Sequence, residues 1–153
     1  MSIINSSLIY IKHEGKYLML HRVKKEGDLN KDKWIGVGGK LEFAESPNEC
    51  ALREAYEETG LTLDECRYRG IVTFVYGNQT EYMHLFTSES FCGKVKECDE
   101  GILEWVKISD VYDLPIWEGD KVFLKLIEND DTPFFSLKLV YDEDGKLLQS
   151  KLY

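Results

Sequence analysis

The sequence predicts a mixed α/β fold with helices packed against a central sheet, and three observations lead to this prediction. Two segments, 47–59 and 118–128, carry the capping residues or the apolar spacing of helices. Runs rich in β-branched and aromatic residues recur before, between and after these helices, which indicates layers of both kinds. The predicted strands span 7–12, 17–23, 68–76, 82–87, 102–108, 134–141 and 146–152.

The chain opens with a predicted hairpin. Its turn, residues 13–16, contains a Gly between the first two strands. Residues 24–33 are charged and contain a Gly and an Asn, which predicts a loop. The Gly-rich stretch at 36–39 follows this loop.

The first helix has signals at both ends. Ser46 fits the N-cap, Pro47 the first helical position and Glu49 the third, which together form a capping box. Gly60 fits the position that ends a helix. These signals predict a helix over 47–59. On a wheel its core side comprises Ala51, Leu52, Ala55 and Thr59.

The second helix is predicted from periodicity. Val122, Phe123, Leu126 and Ile127 follow i, i+1, i+4, i+5 spacing within 118–128. The last two strands flank a turn at 142–145.

The length, the net charge and the cysteine pattern of the chain limit the functions that it can have. The 153 residues predict one domain, 1–153. A net charge of −9 argues against binding to duplex nucleic acid or to an anionic membrane surface. We see no signal peptide and no apolar run of about 20 residues. The four cysteines form no CxxC pair, so we expect reduced thiols and a cytoplasmic location.

Three carboxylates share one face of the first predicted helix. Glu54, Glu57 and Glu58 are spaced i, i+3 and i+4, and like charges at this spacing destabilise a helix. A solvated surface is one interpretation. A divalent cation is the other, because Mg²⁺ takes carboxylate oxygens.

The spacing around these acids resembles a family pattern. Gly39 is followed after five residues by Glu45, and after seven more by the segment 53–61, Arg-Glu-Ala-Tyr-Glu-Glu-Thr-Gly-Leu. This resembles the Nudix box, Gly-x5-Glu-x7-Arg-Glu-U-x-Glu-Glu-x-Gly-U, in which U is a bulky aliphatic residue. Eight of the nine positions match, and Ala55 replaces the first U. The resemblance implies the Nudix fold, an α/β/α sandwich with a mixed central sheet and a loop-helix-loop.

The resemblance also implies site residues. Mg²⁺, with Mn²⁺ as a substitute, would be held by the Gly38 carbonyl, Glu54, Glu57, Glu58 and Glu100. Arg53 would pair with Glu45 and support the loop over the helix. Gly39 and Lys40 would approach the phosphates, although Lys40 also fits a solvated surface residue. The implied reaction is hydrolysis of a nucleoside diphosphate derivative.

A second acidic cluster offers a candidate base. It contains four acids between residues 97 and 104. The resemblance points to Glu100 as the extra metal ligand or base, with Glu104 as the alternative. A solvated acidic loop is the other interpretation of this cluster.

Two further stretches, 34–40 and 114–120, resemble the MutT-type and mammalian-type oxidised-purine nucleoside triphosphatases within the family. There Trp117 would stack on the purine and Asp120 would accept hydrogen bonds from its edge. Trp117 also fits a core aromatic, and Asp120 a first-turn acid. Ile35 stands where the mammalian-type enzymes have an Asn that contacts the base, which puts a preference for 8-oxoguanine in doubt.

The predicted function is therefore Mg²⁺-dependent hydrolysis of a purine nucleoside triphosphate, which includes 8-oxo-dGTP-like substrates, to the monophosphate and pyrophosphate in nucleotide-pool sanitation. One alternative is a Nudix hydrolase for ADP-ribose, a nucleotide sugar or capped RNA. Another is a binding module without catalysis, but such modules usually lose the three glutamates that this chain keeps.

Overall fold

The computed structural model describes residues 2–24 and 26–153. Within these ranges a nine-stranded mixed sheet runs in the order β11-β10-β6-β7-β1-β2-β3, with β4 paired to β1 and β9 paired to β2. A separate pair joins β5 to β8. The strands are β1 (Ser2–His13), β2 (Lys16–His21), β3 (Trp34–Ile35), β4 (Val37–Lys40), β5 (Thr62–Leu63), β6 (Arg67–Tyr76), β7 (Gln79–Ser88), β8 (Phe91–Cys92), β9 (Ile102–Lys107), β10 (Phe135–Tyr141) and β11 (Leu147–Leu152).

Helices cover both faces of the sheet, which confirms the predicted sandwich. The helices are α1 (Pro47–Thr59), α2 (Ile108–Val111) and α3 (Asp120–Glu128). Ala51 and Ala55 of α1 pack with Ile9, Val37 and other strand residues in one apolar core. The core on the other face includes Phe123, Leu124 and Ile127 of α3. Strands β1 and β4 pack against α1 on the face of the sheet that α1 covers.

The first helix has the predicted bounds. The Ser46 hydroxyl accepts a hydrogen bond from the Glu49 N–H, and the Glu49 carboxylate accepts one from the Ser46 N–H. Gly60 ends the helix in the left-handed conformation at φ 82°. Local sequence therefore determines both ends of α1.

The Gly-rich stretch, for which the sequence predicts no element, contains strand β4. Its residues pair antiparallel with β1, with Gly38 opposite Leu8. A Cβ at Gly38 would lie 1.9 Å from the Ser7 carbonyl oxygen, so only Gly permits this approach. The elements β3, β5, β8 and α2 were not predicted because two to four residues are too few for periodicity.

The expectation that Leu52 faces the core is wrong. Leu52 is 43% exposed, whereas Glu58 is only 6% exposed. The Glu58 carboxylate accepts the Gly38 N–H at 2.7 Å, which turns this side of α1 towards β4 and leaves Leu52 at the surface.

The other boundaries differ by a few residues. β1 begins at Ser2, earlier than the predicted 7. α3 begins at Asp120 because residues 117–119 form the turn before it, closed by the Asp120 N–H and the Trp117 carbonyl. Among the described residues, no helix combines the length and the apolar character that crossing a membrane requires. All four cysteines are free thiols, as expected.

Candidate active site

A cleft of about 640 Å³ lies between α1, the strands β1 and β4, and the start of α3. This volume suits a ligand of nucleotide size. Glycines, carboxylates and cations line its α1 side, and aromatic and apolar side chains line its α3 side. The lining includes Ser6, Ser7, Leu8, Arg22, Asp28, Asn30, Ile35, Gly38, Gly39, Lys40, Glu54, Phe74, Glu81, Met83, Glu100, Trp117 and Asp120.

The two adjacent glycines of β4 bring α1 and its acids against the strand. A Cβ at Gly39 would lie 2.5 Å from Cδ of Glu54, so the carboxyl of Glu54 occupies the space that a side chain would fill. The neighbouring Gly38 N–H donates to Glu58. Burial raises the pKa of Glu54.

Arg53 connects the acids of this region. Its guanidinium donates to Glu45 at 2.6 and 2.9 Å, to Glu54 at 2.7 Å and to Glu57 at 3.1 Å. It also donates to the Lys40 carbonyl at 3.1 Å, which ties the loop after β4 to the helix. The fork geometry of Arg suits several acceptors at once. The contact between Arg53 and Glu45 is the one expected from the sequence.

The Arg53–Glu45 pair makes stability depend on pH. The Arg53 hydrogen bonds hold the pKa of Glu45 at about 2, below its ordinary 4.5. A lowered folded-state pKa stabilises the protein above pH 4.5, and this contribution is lost as the pH falls towards 2. We expect Glu45→Gln to lower the melting temperature at pH 7, with the difference from wild type shrinking steadily as the pH falls from about 4.5 towards 2. Thermal unfolding at steps between pH 7 and 2 measures this, and a pH-independent difference contradicts it.

Glu58 is a buried carboxylate with an unused oxygen. Its Oε1 accepts the Gly38 N–H, while its Oε2 is buried and has no hydrogen-bond partner in the described part of the chain. Burial raises the pKa of Glu58, and the nearby Glu100 raises it further. An unpartnered buried carboxylate oxygen is costly, and a cation would remove that cost.

The donor set fits a hard divalent cation. Across residues 2–24 and 26–153, no three acidic, His or Cys side chains already form a metal cluster. Arg53 Nη1 instead bonds one oxygen each of Glu54 and Glu57. Their second oxygens, together with the free Oε2 of Glu58, are the ligands that Mg²⁺ prefers.

Glu100 lines the cleft, as the candidate base should. Arg22 approaches Glu100 at 3.3 Å and pairs with Asp28 at 2.7 Å. The loop before β9 is anchored because Lys24 Nζ donates to the Cys98 carbonyl. The alternative, Glu104, is exposed on β9 and is not among the residues that line the cleft.

Trp117 and Asp120 lie at the α3 side of the cleft. Trp117 is only 5% exposed and packs edge-on against Phe74 and Tyr141, so it is a core aromatic as well as a cleft residue. Asp120 is 4% exposed, and burial raises its pKa to about 8. Ile35 also lines the cleft and presents an apolar side chain.

Three further residues line the cleft. Lys40 is a candidate from the sequence, whereas Arg22 and Asn30 are not. Lys40 is exposed at the cleft, consistent with both of its interpretations. Sequence reasoning missed Arg22 and Asn30. A cation near the end of the predicted strand 17–23 was a weak signal for Arg22, but no local signal marks Asn30, because its partner Trp117 is 87 residues away.

Comparisons with known proteins identify the family. The family model described as NUDIX domain matches residues 4–127. The oxidized purine nucleoside triphosphate hydrolase of Danio rerio is 31% identical over 79% of this chain and 77% of its own length. The enzyme of that name from Mus musculus is 28% identical, over 69% and 68%. A crystal structure of a MutT protein from Bacillus halodurans is 26% identical, covers 97% of both chains and has a TM-score of 0.86. The chain therefore belongs to the Nudix hydrolase family, and within that family it is similar to members of the MutT type.

Proposed function

We propose that this protein is a Mg²⁺-dependent pyrophosphohydrolase of purine nucleoside triphosphates, with oxidised purines among its candidate substrates. The observation that carries the proposal is that one cleft holds both a carboxylate face and an aromatic pocket. The carboxylate face suits a metal-bound polyphosphate, and the aromatic pocket suits the purine base of a nucleotide. The printed names of the Danio rerio and Mus musculus relatives support the same substrate class.

The charge balance of the cleft supports a phosphate ligand. The chain carries a net charge of −9, which alone would repel a triphosphate. Arg22 and Lys40 line the cleft beside Glu54 and Glu100, so cationic side chains face the same space as the acids. A bound Mg²⁺ neutralises phosphate charge and favours substitution at phosphorus.

In this proposal the residues of α1 have distinct tasks. Glu54, Glu57 and Glu58 hold the cation, with the Gly38 carbonyl as a further oxygen ligand. Arg53 positions two of these acids through the hydrogen bonds described above. The Gly39 backbone would face the phosphates, and its missing Cβ leaves room for the Glu54 carboxylate beside them.

Glu100 is the proposed general base that accepts the proton of the attacking water, and it is also a proposed metal ligand in the same site. The water oxygen bonds to a phosphorus of the α–β bridge, the P–O bond of that bridge breaks, and Glu100 takes the water proton. Arg22 holds Glu100 at the cleft by its 3.3 Å contact. Trp117 and Asp120 contact the base of the nucleotide.

A substrate panel tests this proposal. With Mg²⁺ present, kcat/KM should be higher for purine nucleoside triphosphates, including 8-oxo-dGTP, than for ADP-ribose or a nucleotide sugar. Preferred cleavage of ADP-ribose or a nucleotide sugar instead would favour the other substrate class. Absence of hydrolysis for every member of the panel would favour a binding module.

The strand pairing and the cysteines support two further properties, the number of domains and the place of action. The tail strands β10 and β11 lie outside the family match, yet β10 pairs with β6 of the main sheet. We therefore infer one domain over 1–153. Free thiols and a nucleotide substrate favour the cytoplasm as the place of action.

A further inference from the structure

Asn30 has a placement and an orientation that suit contact with a base, a role that rests on the proposed nucleotide substrate. Asn30 lies in the loop between β2 and β3 and lines the cleft. Its backbone N–H donates to the Asp28 carboxylate at 3.1 Å, which fixes the local turn. Asp28 is itself held by Arg22 at 2.7 Å. The loop thus places the Asn30 side chain by a chain of ionic and hydrogen bonds.

The Asn30 amide has a defined orientation. The Trp117 indole N–H donates to Oδ1 of Asn30 at 2.8 Å. An indole nitrogen is a donor only, so the amide atom that faces it must be the oxygen. The amide NH₂ therefore points away from the indole nitrogen. Among the described residues it has no hydrogen-bond acceptor, and its two donors remain available to a ligand.

The two serine hydroxyls at the cleft are already engaged. The Ser6 hydroxyl donates to Glu81 at 2.6 Å, and the Ser7 hydroxyl donates to the Pro47 carbonyl at 2.8 Å. Lys33 lies over the Trp117 ring, 5.0 Å from its centroid, and is not among the residues that line the cleft. The Ile35 side chain has no polar atom. Two side-chain amides line the cleft, those of Gln79 and Asn30, and a described contact orients only the Asn30 amide.

We propose that the Asn30 amide donates to a ring carbonyl oxygen of the base and makes the site selective for oxopurines over adenine. A ring carbonyl accepts hydrogen bonds, whereas the amino group of adenine at position 6 presents donors. An NH₂ facing that amino group leaves both donors unpaired. A site built around a hydrogen bond rejects the analogue that lacks its partner.

Three nucleotides separate the possible carbonyls. Inosine-type dITP has the carbonyl at position 6, 8-oxo-dATP has the carbonyl at position 8, and dATP has neither. The wild-type protein should favour at least one of the two oxopurines over dATP by about tenfold in kcat/KM, the scale of one net hydrogen bond. The favoured nucleotide then shows which carbonyl meets the amide.

The decisive variant is Asn30→Asp, which keeps an oxygen for the Trp117 N–H but replaces the NH₂ by a second acceptor. The oxopurine preference should fall by about tenfold or more, with little change for dATP. Asn129→Asp is the matched control, because Asn129 lies outside the cleft and its Oδ1 accepts the Asp131 N–H. It should leave the preference unchanged. An equal loss for all three nucleotides, or no loss at all, overturns the inference.

Binding of the monophosphates keeps the inference separate from the proposed reaction. Calorimetric Kd values for dIMP, 8-oxo-dAMP and dAMP require no hydrolysis. Discrimination that Asn30→Asp removes supports the role of Asn30 even if the protein hydrolyses no triphosphate. Hydrolysis of triphosphates without discrimination supports the proposed function and overturns the inference. If the protein neither discriminates among the monophosphates nor hydrolyses the triphosphates, the inference and the proposed function are both overturned.

Discussion

Glu58→Gln should lower the Mg²⁺-dependent hydrolysis rate by more than about 100-fold and yet make the metal-free protein more stable to heat. The loss should exceed the 10–100-fold typical of residues one step removed from a metal, because Glu58 is a proposed ligand. The gain in thermal stability of the metal-free protein has a separate cause. Glu58 is 6% exposed, its Oε2 has no described partner, and burial raises its pKa, so a neutral amide avoids the cost of either burying the carboxylate charge or protonating it.

Melting temperatures with EDTA and with Mg²⁺ measure both halves of this prediction. Without metal, the variant should melt about 2–4 °C higher, the shift expected for about 1 kcal/mol in a domain of this size. With Mg²⁺, wild type should gain stability by binding, whereas the variant should gain little. Glu97→Gln is the matched control, because Glu97 is exposed and outside the cleft. A Glu58→Gln protein that hydrolyses its substrate at the wild-type rate contradicts the assigned metal site.

Arg53→Lys should reduce kcat/KM by about 10–100-fold, the usual cost of removing a partner that orients metal ligands. Arg53 donates to three carboxylates and one carbonyl at 2.6–3.1 Å. A lysine keeps the charge, but its single ammonium cannot reproduce the fork. Glu54 and Glu57 would then lose the shared donor that bridges their carboxylates.

A magnesium titration separates positioning from general damage. In Arg53→Lys the Mg²⁺ concentration for half-maximal activity should rise, and excess Mg²⁺ should restore part of the rate. Arg67→Lys, at an exposed residue of β6, controls for the substitution type and should change neither value. An unchanged Mg²⁺ dependence for Arg53→Lys, at an unchanged rate, would show that the guanidinium does not position the ligands.

The parts predicted from sequence depend on local signals. The capping box and Gly60 determine α1, and the spacing from Gly39 to Glu58 brings the strand glycines against the helix acids. The Arg53–Glu45 contact follows from the same segment. These interactions lie within one loop-helix unit, so a short pattern contains the information needed to predict them.

The parts that sequence did not predict depend on contacts between distant segments. Trp117 was a choice between core and base stacking, and the structure places it in the core and at the cleft together. Asn30 meets it only because the loop after β2 folds over the start of α3. Leu52 was assigned to the wrong face because a wheel does not show that Gly38 draws Glu58 inward.

The products of the wild-type reaction test the central claim most directly. The protein is incubated with Mg²⁺ and either dGTP or 8-oxo-dGTP, and the nucleotide, pyrophosphate and orthophosphate are separated and quantified. Our account predicts nucleoside monophosphate and pyrophosphate in equal amounts, with no orthophosphate and no reaction in EDTA. Release of orthophosphate with a nucleoside diphosphate, or undiminished hydrolysis in EDTA, would contradict it.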